Sequence, residues 1–107
     1  MLVIGIDPGW RNLSVHIASV KDGVWSTIYW ANKDILRDRA TYSLTAFRSA
    51  IREWYHNLAF LFKAAYVVVI ERQPYRRFRN ISAAIIDVIE NTNIVIMDVR
   101  PMKKLTL

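Results

Sequence analysis

Short apolar runs alternate with polar segments along this chain, and two of the runs end in a carboxylate. Leu2-Val3-Ile4-Gly5-Ile6 is followed by Asp7, and Val67-Val68-Val69-Ile70 is followed by Glu71. Runs rich in Val and Ile and bounded by Pro or Gly are typical of strands buried on both faces. Ligands gather at the carboxyl ends of such strands in open α/β sheets. We therefore expect Asp7 and Glu71 to lie close together, where a divalent metal would relieve their repulsion.

The rest of the pattern predicts three further strands and two helices. Lys21-Asp22-Gly23 is a hairpin turn signal between strands at residues 13–20 and 24–30. Residues 31–40 are polar and predict a surface loop. Apolar positions at helical spacing predict a long helix that starts at Thr41 or Ser43 and ends near residue 65.

After Glu71, a basic loop over residues 72–80 is predicted to lead into a second helix over residues 82–90. A fifth strand is predicted over residues 94–99. Tight turns make the first three strands an antiparallel meander, whereas helical crossovers make the last two strands parallel to the first. The expected fold is an α/β domain over residues 1–107 with a five-stranded mixed sheet (β-β-β-α-β-α-β) flanked by helices.

Composition adds a partner class. Fifteen Lys and Arg against nine Asp and Glu give a net charge of +6, and the chain has no cysteine. A basic balance favours a polyanion, and nucleic acid ranks before a membrane because no long uncharged apolar stretch is present. The alternative is an ordinary basic surface. We predict an intracellular protein, because neither disulfides nor a signal peptide are indicated.

Two motifs resemble one family. Ile4-Gly5-Ile6-Asp7-Pro8-Gly9 is similar to the first-strand motif of RuvC-type Holliday junction resolvases, within the ribonuclease H-like superfamily. Arg11-Asn12-Leu13-Ser14 and Ile70-Glu71-Arg72-Gln73-Pro74 resemble the branch found in fungal mitochondria and in poxviruses and other large viruses. Sugar kinases and actin-like ATPases share a first strand of this kind, so the second motif makes the resemblance specific.

The resemblance implies metal-dependent cutting of four-way DNA junctions, with Asp7 and Glu71 as catalytic ligands of Mg²⁺ or Mn²⁺. Hard carboxylate oxygens suit these cations, which activate water and stabilise the leaving oxygen. The alternative for Asp7 is a turn carboxylate before Pro-Gly. A role for Glu71 without a bound partner is less favoured, because burying its carboxylate without a partner would be costly.

The family places further acids on a helix after the fifth strand, whereas this sequence reaches Leu107 with no acid after Asp98. We expect a fragment lacking that helix, a shortened inactive protein, or a substitute ligand. Asp98 is the candidate for a substitute ligand, because it closes the fifth strand as Glu71 closes the fourth. Its alternative is an ion pair with Arg100 or the tail lysines.

DNA contacts are predicted beside Glu71. Residues 72–80 contain four arginines and two aromatic residues, which can grip phosphates and stack on unpaired bases. Tyr75 or Phe78 would stack at the junction centre, although Phe78 could instead pack the second helix onto the sheet. The predicted DNA-binding residues are Arg11, Arg72, Gln73, Tyr75, Arg76, Arg77, Phe78, Arg79, Lys103 and Lys104.

The chain has more aromatic residues than the buried face of one helix requires. Phe47, Trp54, Phe60 and Phe62 lie on the long helix, and Trp25, Tyr29 and Trp30 lie on the hairpin. They form either a well-filled core or a subunit interface, and a homodimer suits the two-fold symmetry of a four-way junction. The expected function is therefore a junction-resolving endonuclease. The alternatives are a catalytically inactive junction-binding module and an actin-like ATPase fragment, which the lack of a Gly-rich loop after Glu71 disfavours.

Overall fold

The computed structural model describes residues 1–9, 12–36, 43–72, 76–89 and 93–98. For residues 72, 76–79 and 98 it describes the backbone alone. Seven elements follow one another in this order: β1 (Leu2–Asp7), β2 (Leu13–Lys21), β3 (Val24–Lys33), α1 (Leu44–Ala64), β4 (Ala65–Arg72), α2 (Arg76–Val88) and β5 (Ile94–Asp98).

The five strands form one mixed sheet in the order β3-β2-β1-β4-β5. Antiparallel pairing joins β1 to β2 and β2 to β3, whereas β4 runs parallel to β1 and β5 runs parallel to β4. Asp22 and Gly23 have φ angles of 51° and 77°, which a tight Asp-Gly hairpin turn requires. The predicted topology and fold class are confirmed.

Both helices pack on the same face of the sheet. Alternate residues of β1, β2 and β4 point into one core, where they meet Phe47, Ile51 and Phe62 of α1 and Ile81 and Ile85 of α2. Ser43 begins α1 because its Oγ accepts a hydrogen bond from the Ala46 amide at 3.1 Å. Among the described residues, no helix covers the opposite face of the sheet, which we call the open face.

Two boundaries differ from the predicted ones. Residues 31–33 continue β3 rather than starting the loop, because cross-strand pairing with Leu13, Ser14 and Val15 outweighs their weak strand propensity. Residues 76–80 begin α2 rather than ending the basic loop, because Arg favours helix and no Gly or Pro interrupts residues 76–88. The arginines at 76, 77 and 79 therefore belong to the first turns of a helix.

The aromatic residues divide between core and surface. Phe47, Trp54 and Phe62 are buried, as a filled core requires, and Tyr55 joins them. Phe60 is exposed on α1, and the hairpin aromatics are exposed on β3. The described helices include none that is long and apolar enough to cross a membrane.

Candidate functional site

Asp7 and Glu71 end two neighbouring parallel strands. Ile6 of β1 pairs with Ile70 of β4, so the next residue on each strand carries its carboxyl group to the same end of the sheet. The two carboxyl groups are close enough to influence each other's ionisation. Asp7 is exposed and Glu71 is half-buried. The expected adjacency of the two acids is therefore present.

The environment of Glu71 makes its anion unfavourable. Burial raises the pKa of Glu71 above its ordinary value, and the neighbouring charge and hydrogen bond of Asp7 raise the pKa further. Two carboxyl groups that share a site in this way bind a proton or a cation in preference to remaining as two anions. The two carboxylates therefore repel each other in the folded chain, which is typical of carboxylates that bind a metal.

The pair opens into a cleft of about 220 Å³ on the open face. Its lining residues come from the three central strands: Gly5, Ile6, Asp7, Ser14, His16, Val69 and Glu71. Gly5 lies between His16 and Val69 in the register of the sheet. A Cβ at Gly5 would be 4.0 Å from the His16 carbonyl oxygen, which is ordinary contact distance. The lack of a side chain at Gly5 therefore leaves space in the cleft and is not needed to avoid a clash.

A tight turn holds the end of β1. A Cβ at Gly9 would lie 2.7 Å from the backbone oxygen of Asn12, closer than any real side chain approaches. Pro8 and Gly9 are both buried beneath this turn. The Pro-Gly pair after Asp7 therefore serves the fold itself, because it lets the chain reverse direction directly behind the carboxylate.

The structure places His16, an exposed residue of β2, in the cleft. Its Nε2 lies 2.8 Å from the Thr27 hydroxyl on β3, and this hydrogen bond tethers the ring above the sheet. Ser14 pairs with Asp7 across β1 and β2 and also lines the cleft. Both side chains reach the cleft because alternate residues of β2 face the open side of the sheet beside β1.

Asp98 lies one register position from the pair. Glu71 pairs with Met97 of β5, whereas Asp98 pairs with Arg72. The Asp98 side chain lies outside the described part of the structure, so its role as a ligand stays a prediction. Across the described ranges, three or more His, Asp or Glu side chains nowhere come together as a metal-binding cluster.

The predicted DNA-binding residues are placed only in part. The backbone puts Arg72 at the end of β4, beyond Glu71, and starts α2 with Arg76, Arg77, Phe78 and Arg79. Arg72 is the last residue of the strand that carries Glu71, and α2 comes next along the chain, so the basic run starts directly after Glu71. Arg11, Gln73, Tyr75, Lys103 and Lys104 lie outside the described residues.

Comparison with solved structures identifies the fold. The yeast mitochondrial Holliday junction resolvase Ydc2 superposes with a TM-score of 0.70 at 17% identity over 91% of this chain and 52% of its own. RuvC of T. thermophilus, solved with a Holliday junction substrate, gives a TM-score of 0.58 at 17% identity over 92% of this chain and 63% of its own. The chain therefore has the ribonuclease H-like fold of RuvC-like resolvases and spans about half to two thirds of their length.

The same fold occurs in another class of protein. A Ppx/GppA family member from Aquifex aeolicus superposes with a TM-score of 0.55 at 16% identity over 92% of this chain and 35% of its own. No protein-family model and no curated protein sequence matches the chain. Since the fold is shared, the function has to be argued from the cleft.

Proposed function

We propose that this chain is the nuclease domain of a metal-dependent endonuclease that cuts branched DNA, four-way junctions above all. The observation that carries the proposal is the placement of Asp7 and Glu71 beside each other at the same end of the parallel strands β1 and β4. The open cleft beside the pair and the basic segment beyond Glu71 support it. So does the fold shared with two junction resolvases.

Mg²⁺ or Mn²⁺ fits the donor set. Two adjacent carboxylates supply hard oxygen ligands, and the raised pKa of Glu71 reflects repulsion that a cation would relieve. Two carboxylates leave most of an octahedral shell to water, phosphate oxygens and one further acid, for which Asp98 is our proposal. Bound there, the metal would supply an activated water and stabilise the departing oxygen of the phosphodiester.

The residues of the cleft have separate tasks. Asp7 and Glu71 hold their oxygens on one side, and Gly5 leaves room for the phosphodiester between His16 and Val69. Because the pKa of Glu71 is raised, the pair holds a proton at low pH and becomes fully anionic as the pH rises. Protons and a divalent metal would therefore compete for the pair, so metal binding is expected to weaken as the pH falls.

The predicted DNA-binding residues are proposed to hold the substrate at this cleft. Arg72 and the arginines at 76, 77 and 79 would bind phosphates, with Gln73 beside them, while Tyr75 or Phe78 would stack on an unpaired base. Arg11, Lys103 and Lys104 would extend the basic surface. Motif spacing and the higher TM-score of the yeast resolvase support the viral and fungal mitochondrial branch. An intracellular location follows from a DNA substrate.

We further propose a homodimer formed through β3, an edge strand with exposed apolar residues on both faces. Trp25 and Trp30 are each 63% exposed, and Val24, Ile28 and Tyr29 lie beside them. These five residues expose roughly 600 Å² per copy, since an aromatic side chain covers 150–250 Å². Two copies would bury at most about 1,200 Å², the lower limit for a stable interface.

Edge pairing about a two-fold axis perpendicular to the sheet turns both open faces the same way. The two β1 strands would then lie five strand spacings apart, about 24 Å. This arrangement suits two symmetric nicks in one junction.

Light scattering measures the oligomeric state. Trp25→Lys/Trp30→Lys should give monomers, whereas Phe60→Lys, at an equally exposed position on α1, should leave a dimer. A monomeric native chain contradicts the proposal.

A junction-binding module that does not cut DNA is the second candidate. It is favoured by the finding that only two carboxylates meet in the described part of the site. A labelled four-way junction and a matched linear duplex, each with Mg²⁺, Mn²⁺ or EDTA, separate the candidates. Paired nicks lost in EDTA and in Asp7→Asn, and retained in Asp22→Asn, support the nuclease. Tight junction-selective binding without nicks supports the module, and no junction preference contradicts both.

A further inference from the structure

The outer surface of the two helices contains a groove that the cleft does not use. It encloses about 450 Å³ between α1 and α2, on the side of the sheet away from Asp7 and Glu71. Its floor is apolar and largely buried, and it consists of Tyr55, Ala59, Ala84 and Val88. Its rim is polar and exposed, and it consists of Arg48, Arg52, His56, Lys63 and Asp87.

Positive charge is concentrated at this rim. The structure describes five Lys or Arg side chains, and three of them line the groove, whereas one of the six described Asp or Glu side chains does. Asp87 lies 4.0 Å from Arg48, and both side chains are at least half exposed. An exposed pair of this kind contributes at most about 1 kcal/mol and does not involve Arg52.

The rim is long enough to span several phosphates of a repeating anion. Arg48, Arg52 and His56 follow one another at four-residue steps, so they form one row with about 6 Å between neighbours. Lys63 continues the row two turns later. The row from Arg48 to Lys63 is about 22 Å long at 1.5 Å per residue. One DNA strand places about six or seven phosphates along that length, at 3.4 Å each.

We propose that this groove, lined by Arg48, Arg52, His56 and Lys63, binds the phosphodiester backbone of a second DNA segment, a duplex arm outside the cleft. An extended groove with charges along 22 Å favours a polymer over a single phosphate ion. The proposal rests on the proposed function for DNA as the polyanion. It adds a second binding surface, on the face opposite the carboxylates, so one chain would hold two segments of a branched molecule.

The test compares charge-matched variants. Arg48→Gln/Arg52→Gln removes two groove charges, and Lys21→Gln/Lys33→Gln removes two charges from the hairpin; each lowers the net charge from +6 to +4. Affinity for a linear duplex is measured by fluorescence anisotropy in EDTA between 50 and 200 mM salt. The groove variant should lose about 1.8 from the slope of log K against log salt, at 0.9 per phosphate contact. The ratio of the native affinity to that of the groove variant should therefore fall about tenfold between 50 and 200 mM salt.

The control variant should keep the native slope, and so should Arg48→Lys/Arg52→Lys, which retains both charges and guards against a folding defect. Equal slopes for the two Gln variants overturn the proposal, as does a native chain that binds no duplex. Failure of the proposed function looks different. In that case the junction is neither preferred nor nicked, while the groove variant still changes the salt dependence of duplex binding.

Discussion

Replacing Glu71 by Gln should stabilise the folded chain at neutral pH, although it removes a residue that we assign to the active site. The amide keeps a hydrogen-bond donor for Asp7 and removes the second negative charge. Two unit charges about 4 Å apart repel by about 1 kcal/mol in water and about 4 kcal/mol at an effective dielectric constant of 20. Because Glu71 is half-buried and Asp7 is exposed, the gain lies in the lower half of that range, about 1–2 kcal/mol.

The gain should depend on pH. The pKa of Glu71 is raised above its ordinary 4.5 in the folded chain. Glu71 therefore contributes its full stability to the fold below pH 4.5, and this contribution is lost as the pH rises through the raised pKa. The native chain therefore loses stability over this window, whereas Glu71→Gln does not. The difference in melting temperature should be near zero at pH 4 and reach roughly 5–10 °C at pH 7.5.

The assay is thermal unfolding in EDTA from pH 4 to pH 8. Glu53→Gln, an exposed glutamate on α1, is the matched control because it removes the same charge from a basic chain. Adding Mg²⁺ should raise the melting temperature of the native chain and leave Glu71→Gln unchanged. Equal shifts in the two Gln variants at every pH would refute the reasoning, since repulsion between Asp7 and Glu71 would then be negligible.

Four further substitutions, one of them a control, test the fold and the cleft. Gly5→Leu should fold normally, because a Cβ has space there, but should slow junction cleavage on the order of 100-fold by filling the cleft; unimpaired cleavage contradicts the assignment. Gly9→Ala should cost about 1–3 kcal/mol in urea unfolding, because its Cβ meets the Asn12 backbone, and a neutral effect would show that the turn relaxes. Phe62→Ala should cost about 3–5 kcal/mol, because the ring is fully buried with its centroid 5.6 Å from that of Trp54 and 5.2 Å from that of Tyr55. The exposed Phe60→Ala should change the free energy of unfolding by less than about 0.5 kcal/mol, so equal losses would place the core elsewhere.

The central strands could be predicted because their signals are local. β1 and β4 are uninterrupted apolar runs, and the Asp22-Gly23 turn pairs β2 with β3 without help from the rest of the chain. The adjacency of Asp7 and Glu71 followed from the rule that parallel strands bring their carboxyl ends to one edge of a sheet. These features needed no knowledge of long-range packing.

The remaining features depend on pairing between distant residues. The strand at residues 31–33 exists because β2 lies beside it, and its own composition favours a loop. The cleft positions of Ser14 and His16 required the register of β2 against β1, which composition alone does not supply. The groove between α1 and α2 was missed because its arginines belong to one helix and its floor is shared with the other.

Direct binding of Mn²⁺ tests the central claim that Asp7 and Glu71 form a divalent-metal centre. Electron paramagnetic resonance follows the signal of free Mn²⁺ as the native chain, Asp7→Asn, Glu71→Gln and the turn variant Asp22→Asn are added. The account predicts that the native chain and Asp22→Asn bind the ion, and that each active-site variant loses that binding. Equal binding by all four proteins would contradict it.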